Sequence, residues 1–295
     1  MYESFFGLRE APFTLTPNTH FFLKSETHQQ GLEMLLVALG NKEGFIKISG
    51  EVGTGKTLLC RKLLNSLDES YVTAYIPNPN FSIESLYCIL AGELSAGLKP
   101  EHNISDGAKL PTHSTGEKQV LALQRINHYL IEFAREGKQV VLIIDEAQSM
   151  PEATIEALRL LTNLETESEK LLQVVLFGQP ELDTMLSKKH LRQLQQRITF
   201  QHHIKPLNRE DIEHYISHRM LLAGYNGGRL FEAKAITILV RASGGIPRLV
   251  NVLCHKALMS AYGQGSKLVQ GKHMKAAIRD TKSIQTSFWR RFPWQ

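Results

Sequence analysis

Gly50, Gly55, Lys56 and Thr57 stand at the spacing G-x-x-x-x-G-K-T within the stretch GEVGTGKT. The apolar run FIKIS leads directly into it, and the helical pattern TLLCRKLLNSL follows directly. These residue types suit phosphate chemistry. Glycines let successive backbone N–H groups close around phosphate oxygens, and the start of a helix adds a favourable dipole. Gly50, Glu51, Val52, Gly53, Thr54 and Gly55 therefore form an expected phosphate cradle. Lys56 would reach the β and γ phosphates, and Thr57 would offer its hydroxyl to Mg2+. ATP and Mg2+ are the expected cofactors.

A second chemical group ends the apolar run of QVVLIIDEAQ, where Asp145 and Glu146 are adjacent. Strand alternation should aim the two carboxylates differently. Asp145 is assigned to Mg2+ through water, and Glu146 to polarising an attacking water. Gln179 follows another apolar run, LLQVVLFG, and its amide could contact both the γ phosphate and the water. Arg192 and Arg197 lie just before the last strand-like run. In a ring of subunits an arginine there could enter a neighbour's site and stabilise developing charge. Arg197 is the preferred candidate, with a surface salt bridge as the alternative for either arginine.

The distant stretch GGIPRLVN completes the set. Gly244 and Gly245 should stop one helix, and Pro247 suits the first position of the next. Arg248 then falls in a first helical turn, where the macrodipole disfavours a cation by roughly a few tenths of a kcal/mol. It needs an anion, which a nucleotide phosphate or a nearby carboxylate could supply. Lys56, Glu146, Gln179, Arg197 and Arg248 are thus the candidate catalytic residues. Pro247 and Arg248 join the loop as nucleotide contacts.

The elements that must position these residues follow from periodicity. FIKIS, YVTAYI, QVVLIID, LLQVVLFG and ITFQHHI are short apolar runs separated by helical patterns, which predicts a parallel five-stranded sheet covered on both faces. In PEATIEALRLLTNLE, Ile155, Leu158, Leu161 and Leu164 share an expected buried stripe, with Pro151 at the helix start. The polar stretch at residues 99–118 reads as a mobile surface loop. After residues 206–208 the patterns are helical only. The expected organisation is an α/β nucleotide-binding domain over 1–205, a helical lid over 206–282, and a basic, aromatic tail over 283–295.

The chain has 295 residues and a net charge of +5. From His255 onward there are eight lysines and arginines against the single acid Asp280, so the basic excess belongs to the C-terminal end. That fits an anionic partner (phospholipid, nucleic acid or an acidic protein face) or simply a solvated helix face. Cys60, Cys88 and Cys254 are isolated, which argues against a zinc site or disulfides, and all three read as reduced core thiols. No apolar run approaches the roughly 18 residues of a membrane span. The start MYESFFGLRE lacks the pattern of a secretory signal, so the expected location is cytoplasmic.

Taken in order, these motifs resemble those of AAA+ ATPases with a helical lid. More narrowly, YESFFGLREAPFTLTPNTHFF together with IIDEAQ, LFGQPEL, QRI and GGIPRLVN resembles the ExeA/GspA type, associated with secretion and type IV pilus systems. The resemblance extends from Tyr2 to about Lys282. It implies a homo-oligomeric, ring-forming ATPase that drives or regulates assembly of a pilus or secretion complex through inner-membrane partners. ExeA-type proteins carry a membrane span and a peptidoglycan-binding domain beyond the lid, whereas this sequence stops at SFWRRFPWQ. The expectation is that it does not itself reach the cell wall. Trp289 and Trp294 beside Arg290 and Arg291 suit a membrane interface or a protein groove, or an end with no partner. The alternative function is a DNA-handling ATPase of the transposition-target or replication-initiation kind, weakened by the lack of a helix-turn-helix domain after the lid. A nucleotide-dependent scaffold is opposed by the intact Asp145–Glu146 pair.

Overall fold

In a computed structural model the structure describes residues 2–14, 21, 25–97, 115–164 and 170–281. Apolar, β-branched runs become the strands β1 (Phe45–Gly50), β2 (Tyr71–Ile76), β3 (Gln139–Ile144), β4 (Leu172–Gly178) and β5 (Ile198–Ile204). All four pairings are parallel, in the order β2-β3-β4-β1-β5. Parallel strands need helical crossovers, and these cover both faces of the sheet. One face packs Leu142, Ile144, Val174 and Leu176 with Leu90, Ile126 and Phe133. The other packs Ile46, Ile48, Val141 and Val175 with Leu35, Leu59 and Leu63.

The chain forms two compact units. One comprises Thr27–Gly50 and Leu59–Ile204 and contains the sheet. The helices following β1, β2, β3 and β4 are, in chain order, α3 (Lys56–Leu64), α4 (Ile83–Ala96), α5 (Thr115–Arg135), α6 (Glu152–Leu161), α7 (Pro180–Leu186) and α8 (Arg192–Arg197). Before β1 come α1 (Tyr2–Phe6) and α2 (Glu26–Gly40). Strand order reverses at β1. The connection leaving β1 runs to β2 on one side, while that leaving β4 passes over β1 to β5. Such a switch point, at the carboxyl ends of the strands, is where open α/β sheets bind ligands.

The other unit comprises Met1–Glu26, Glu51–Leu58 and Lys205–Gln295. Its helices are α1, α9 (Arg209–Leu222), α10 (Ala233–Ser243), α11 (Pro247–Gly263) and α12 (Gly271–Arg279). A capping box starts α9: Asn208 Oδ1 accepts the N–H of Asp211 at 2.9 Å, and Asp211 Oδ2 accepts that of Asn208 at 3.1 Å. Tyr2, Phe6, Phe13 and Phe21 from the N-terminal segment enter the core formed by these helices. Phe13 and Phe21 are 2% and 1% exposed, and each such burial contributes about 1.5–3 kcal/mol.

Several expectations change. Residues 2–14 and Phe21, expected with the α/β domain, pack instead with the helices after Lys205. Their apolar side chains are too closely spaced to choose a core by periodicity. Residues 115–118 of the expected loop at 99–118 belong instead to α5, while residues 99–114 lie outside the described residues. So does the tail at 283–295. The α6 stripe holds for Ile155, Leu158 and Leu161, all fully buried. The helix ends there, however, with Leu164 only partly buried beyond it, while Pro151 stands at the helix start as expected, in the N-cap position. Cys60 and Cys254 are buried thiols, but Cys88 is exposed.

Candidate nucleotide site

The phosphate loop follows β1 without interruption, and α3 starts at Lys56. Gly53 and Gly55 have φ of 82° and 100°, a left-handed backbone that turns consecutive N–H groups inward at low strain. Thr54 is buried and donates its hydroxyl to the Glu51 carbonyl at 2.9 Å, while Lys56, 5% exposed, donates its ammonium to the same carbonyl at 3.1 Å. Val52 stands 50% exposed at the loop tip. Thr57 lies in the first turn of α3.

The same unit brings Arg248 to this loop. Gly244 ends α10 in the left-handed conformation, with φ 57° and ψ 22°. Gly245, with φ 80°, passes so close to residue 207 that a Cβ there would lie 2.2 Å from the Leu207 carbonyl oxygen. Its own carbonyl accepts the Leu207 N–H at 2.8 Å. Ile246 caps α11, Pro247 occupies its first turn, and the Arg248 N–H donates to the Gly53 carbonyl at 3.2 Å. A Cβ on Gly53 would lie 2.6 Å from the Arg248 Cβ, so only glycine fits there. Arg248 is exposed and has no ion pair among the described residues. The carboxylate considered as its partner is therefore not found among them.

At the carboxyl edge of the sheet, Gly50 ends β1, Asp145 follows β3, and Gln179 follows β4. Asp145 is 2% exposed, and its N–H extends the ladder to the Ile76 carbonyl at 2.9 Å. Its Oδ1 accepts the Glu146 N–H at 2.9 Å. Glu146 has φ 52° and ψ 37°, a left-handed turn that costs a non-glycine residue about 1–3 kcal/mol. The strand ends at Ile144 and the backbone turns sharply at Glu146, so strand alternation does not run through the two acids. Gln179 Nε2 donates to Glu146 Oε2 at 3.0 Å. Sequence reasoning assigned nothing to Gln148, yet its Nε2 donates to the same oxygen at 2.5 Å and its Oε1 accepts the Gln179 N–H at 2.9 Å.

The surroundings of Asp145 oppose further negative charge. Burial, then the nearby Asp145 carboxylate, pushes the Cys60 thiol up to about 12, with Arg61 acting in the opposite sense. The Tyr75 phenol is likewise pushed up to about 12, first by burial and then by Cys60 and Asp145. A buried carboxylate in such a field suits a cation. Among the described residues no group of three or more His, Cys, Asp or Glu could hold a metal by itself.

Arg197 is not gathered with Glu146 and Gln179. Its Nη1 donates to the Arg159 carbonyl at 3.4 Å and the Thr162 hydroxyl at 3.3 Å, at the end of α6. Arg192 is exposed.

Residues 40–186 match the AAA domain family. The General secretion pathway protein A of Aeromonas hydrophila is 42% identical over 293 residues, covering 97% of this chain and 50% of that protein. The chain carries an AAA domain and is similar, over nearly its whole length, to a protein of the ExeA/GspA type. It spans about half the length of this curated relative. Among solved structures, the ORC2 protein of Aeropyrum pernix, solved as ADPNP-ADP complexes, is 16% identical with a TM-score of 0.59, covering 91% of this chain and 72% of that one. Cdc6p of Pyrobaculum aerophilum is also 16% identical, with a TM-score of 0.60 and coverages of 89% and 70%. At that identity these two likenesses establish the fold alone. Among the described residues no helix is long and apolar enough to cross a membrane.

Proposed function

We propose that this AAA protein is an ATP-hydrolysing switch that drives or regulates assembly of a type IV pilus, of the mannose-sensitive haemagglutinin kind, or of a related secretion complex at the inner membrane. The observation that carries the switch is the bond from Arg248 in α11 to Gly53 in the phosphate loop, which links a lid helix to the nucleotide-binding backbone. The biological setting rests on likeness to a secretion pathway protein.

In this reading the backbone of residues 50–55 and Lys56 bind the phosphates of ATP, while Thr57 and Asp145 hold Mg2+. The metal, when bound, supplies charge neutralisation at the phosphates. Glu146 orients a water and accepts its proton as the water attacks, and Gln179 holds the Glu146 carboxylate in place. Arg248, together with the N-terminus of α11, stabilises negative charge on the phosphates. Arg197 acts on a neighbouring copy in a homo-oligomeric ring, which requires release of its contacts with Arg159 and Thr162. The protein works on the cytoplasmic side, with peripheral membrane contact through residues 283–295.

The test is recovery of membrane proteins on a Glu146→Gln trap loaded with ATP. Pilus or secretion assembly proteins retained with ATP and lost with ADP support the reading. Tight, steeply salt-dependent retention of DNA in place of such partners sinks it.

A further inference from the structure

We propose that Gln148 is a positioning residue for Glu146, fixing its carboxylate to the junction between β4 and α7. The proposal deepens the ATPase reading above and rests on it. Gln148 lies in the single helical turn Ala147–Ser149 directly after Glu146. Its side-chain carbonyl accepts the Gln179 N–H at 2.9 Å, which fixes the sense of the amide. With that end committed, the NH2 group faces Glu146 Oε2 at 2.5 Å. The flipped amide would set NH2 against N–H and carbonyl against carboxylate, both repulsive.

Gln179 closes the arrangement, because its own Nε2 reaches the same Glu146 oxygen at 3.0 Å. Three hydrogen bonds thus form a ring through Glu146, Gln148 and Gln179, and two of them are charge-assisted. The other end of Glu146 is held through its backbone N–H by Asp145 at 2.9 Å. Backbone and carboxylate are therefore restrained from opposite sides. Gln179 is the N-cap of α7, and its side chain makes no cap bond to its own helix. A displacement of the β4–α7 junction is consequently passed to Glu146 by two routes, the Gln179 amide and the Gln148 bridge.

Two substitutions separate positioning from a merely structural cap. Gln148→Leu removes both bonds. Gln148→Glu keeps an acceptor for the Gln179 N–H but puts an oxygen where the NH2 donor faced Glu146. Both variants should lose kcat for ATP by about 10- to 100-fold with KM changed less than about threefold. A Gln148→Glu protein that keeps the wild-type kcat, or a rise in KM with kcat intact in either variant, overturns the proposal. A readout independent of turnover is the side-chain amide proton of Gln148 in glutamine-labelled protein, assigned by its loss in Gln148→Leu. It should shift upfield in Glu146→Ala, and an unchanged resonance overturns the pairing. Absence of ATP turnover in the wild-type protein would remove the ATPase reading, while the amide resonance would still decide whether Gln148 holds Glu146.

Discussion

The N–H of Arg248, in the first turn of α11, donates to the carbonyl of Gly53 at the bend of the phosphate loop, at 3.2 Å. The proline that starts α11 has no N–H to offer, so the next residue makes this bond. Movement of α11 therefore acts on the loop backbone itself.

Gly53→Ala tests how tightly that contact is packed. The new Cβ would meet the Arg248 Cβ at 2.6 Å, and alanine would have to adopt φ 82°. The variant should be destabilised by roughly 1–3 kcal/mol. Chemical denaturation would register the loss, and titration with a fluorescent ATP analogue should find weakened binding.

Arg248→Ala should separate stability from chemistry. Its side chain is exposed, and no ion pair holds it among the described residues, so folding stability should stay within about 0.5 kcal/mol of wild type. ATP hydrolysis should fall by about 100-fold, the scale of losing one donor to developing charge. Normal binding and normal turnover in this variant would remove the lid from the mechanism.

A buried network ties the N-terminal segment to α9 and α11. Arg219 Nε donates to the Pro12 carbonyl at 2.5 Å and Nη1 to the Tyr215 hydroxyl at 2.9 Å. Tyr215 donates to Asn251 Oδ1 at 3.0 Å, and Asn251 Nδ2 reaches the Thr14 carbonyl at 3.4 Å. The guanidinium also lies 4.6 Å from the centre of the Phe21 ring. Tyr215→Phe leaves Asn251 Oδ1 without this donor inside the core, at a cost of about 1–3 kcal/mol. Hydrogen exchange should accelerate first in residues 2–14. Protection there equal to wild type would mean that the network does not anchor the segment.

Much of this was readable from residue order, and the omissions share a cause. Strands β1 to β5 declared themselves as apolar runs, and Gly244, Gly245 and Pro247 announced a helix end and start because those residues restrict the backbone locally. The allegiance of residues 2–14 was hidden because it depends on contacts such as Arg219 to Pro12, 207 residues apart. Gln148 was invisible for a related reason. A glutamine beside an acid carries no periodic signal, and its partner at residue 179 is met only when β3 and β4 pair. Arg197 was singled out by its place before β5, but position along the chain does not reveal that the end of α6 holds its guanidinium.

Acid should weaken the helical unit through His273. Its Nδ1 accepts the Gln270 N–H at 3.0 Å while Nε2 meets Gln264 Oε1 at 3.1 Å, so the neutral ring satisfies both partners. Burial, followed by the Lys272 charge, lowers its pKa below the ordinary histidine value. The folded state then binds fewer protons than the unfolded chain. Stability is full above the unfolded pKa, near 6.5, and falls as pH drops through that value toward the folded one. Thermal denaturation between pH 7 and pH 5 should therefore lower Tm more in wild type than in His273→Gln. An equal fall in both would exclude His273 as a source of acid sensitivity.

The central claim is that the phosphate loop binds ATP and that Glu146 is needed to hydrolyse it. Single-turnover hydrolysis by wild type and Glu146→Gln, with ATP affinity measured on the same samples in Mg2+, tests it most directly. The account predicts hydrolysis by wild type, and in the variant ATP affinity within about threefold of wild type but turnover lower by at least about 100-fold. Wild-type turnover in Glu146→Gln, or no hydrolysis by the wild-type protein, would contradict it.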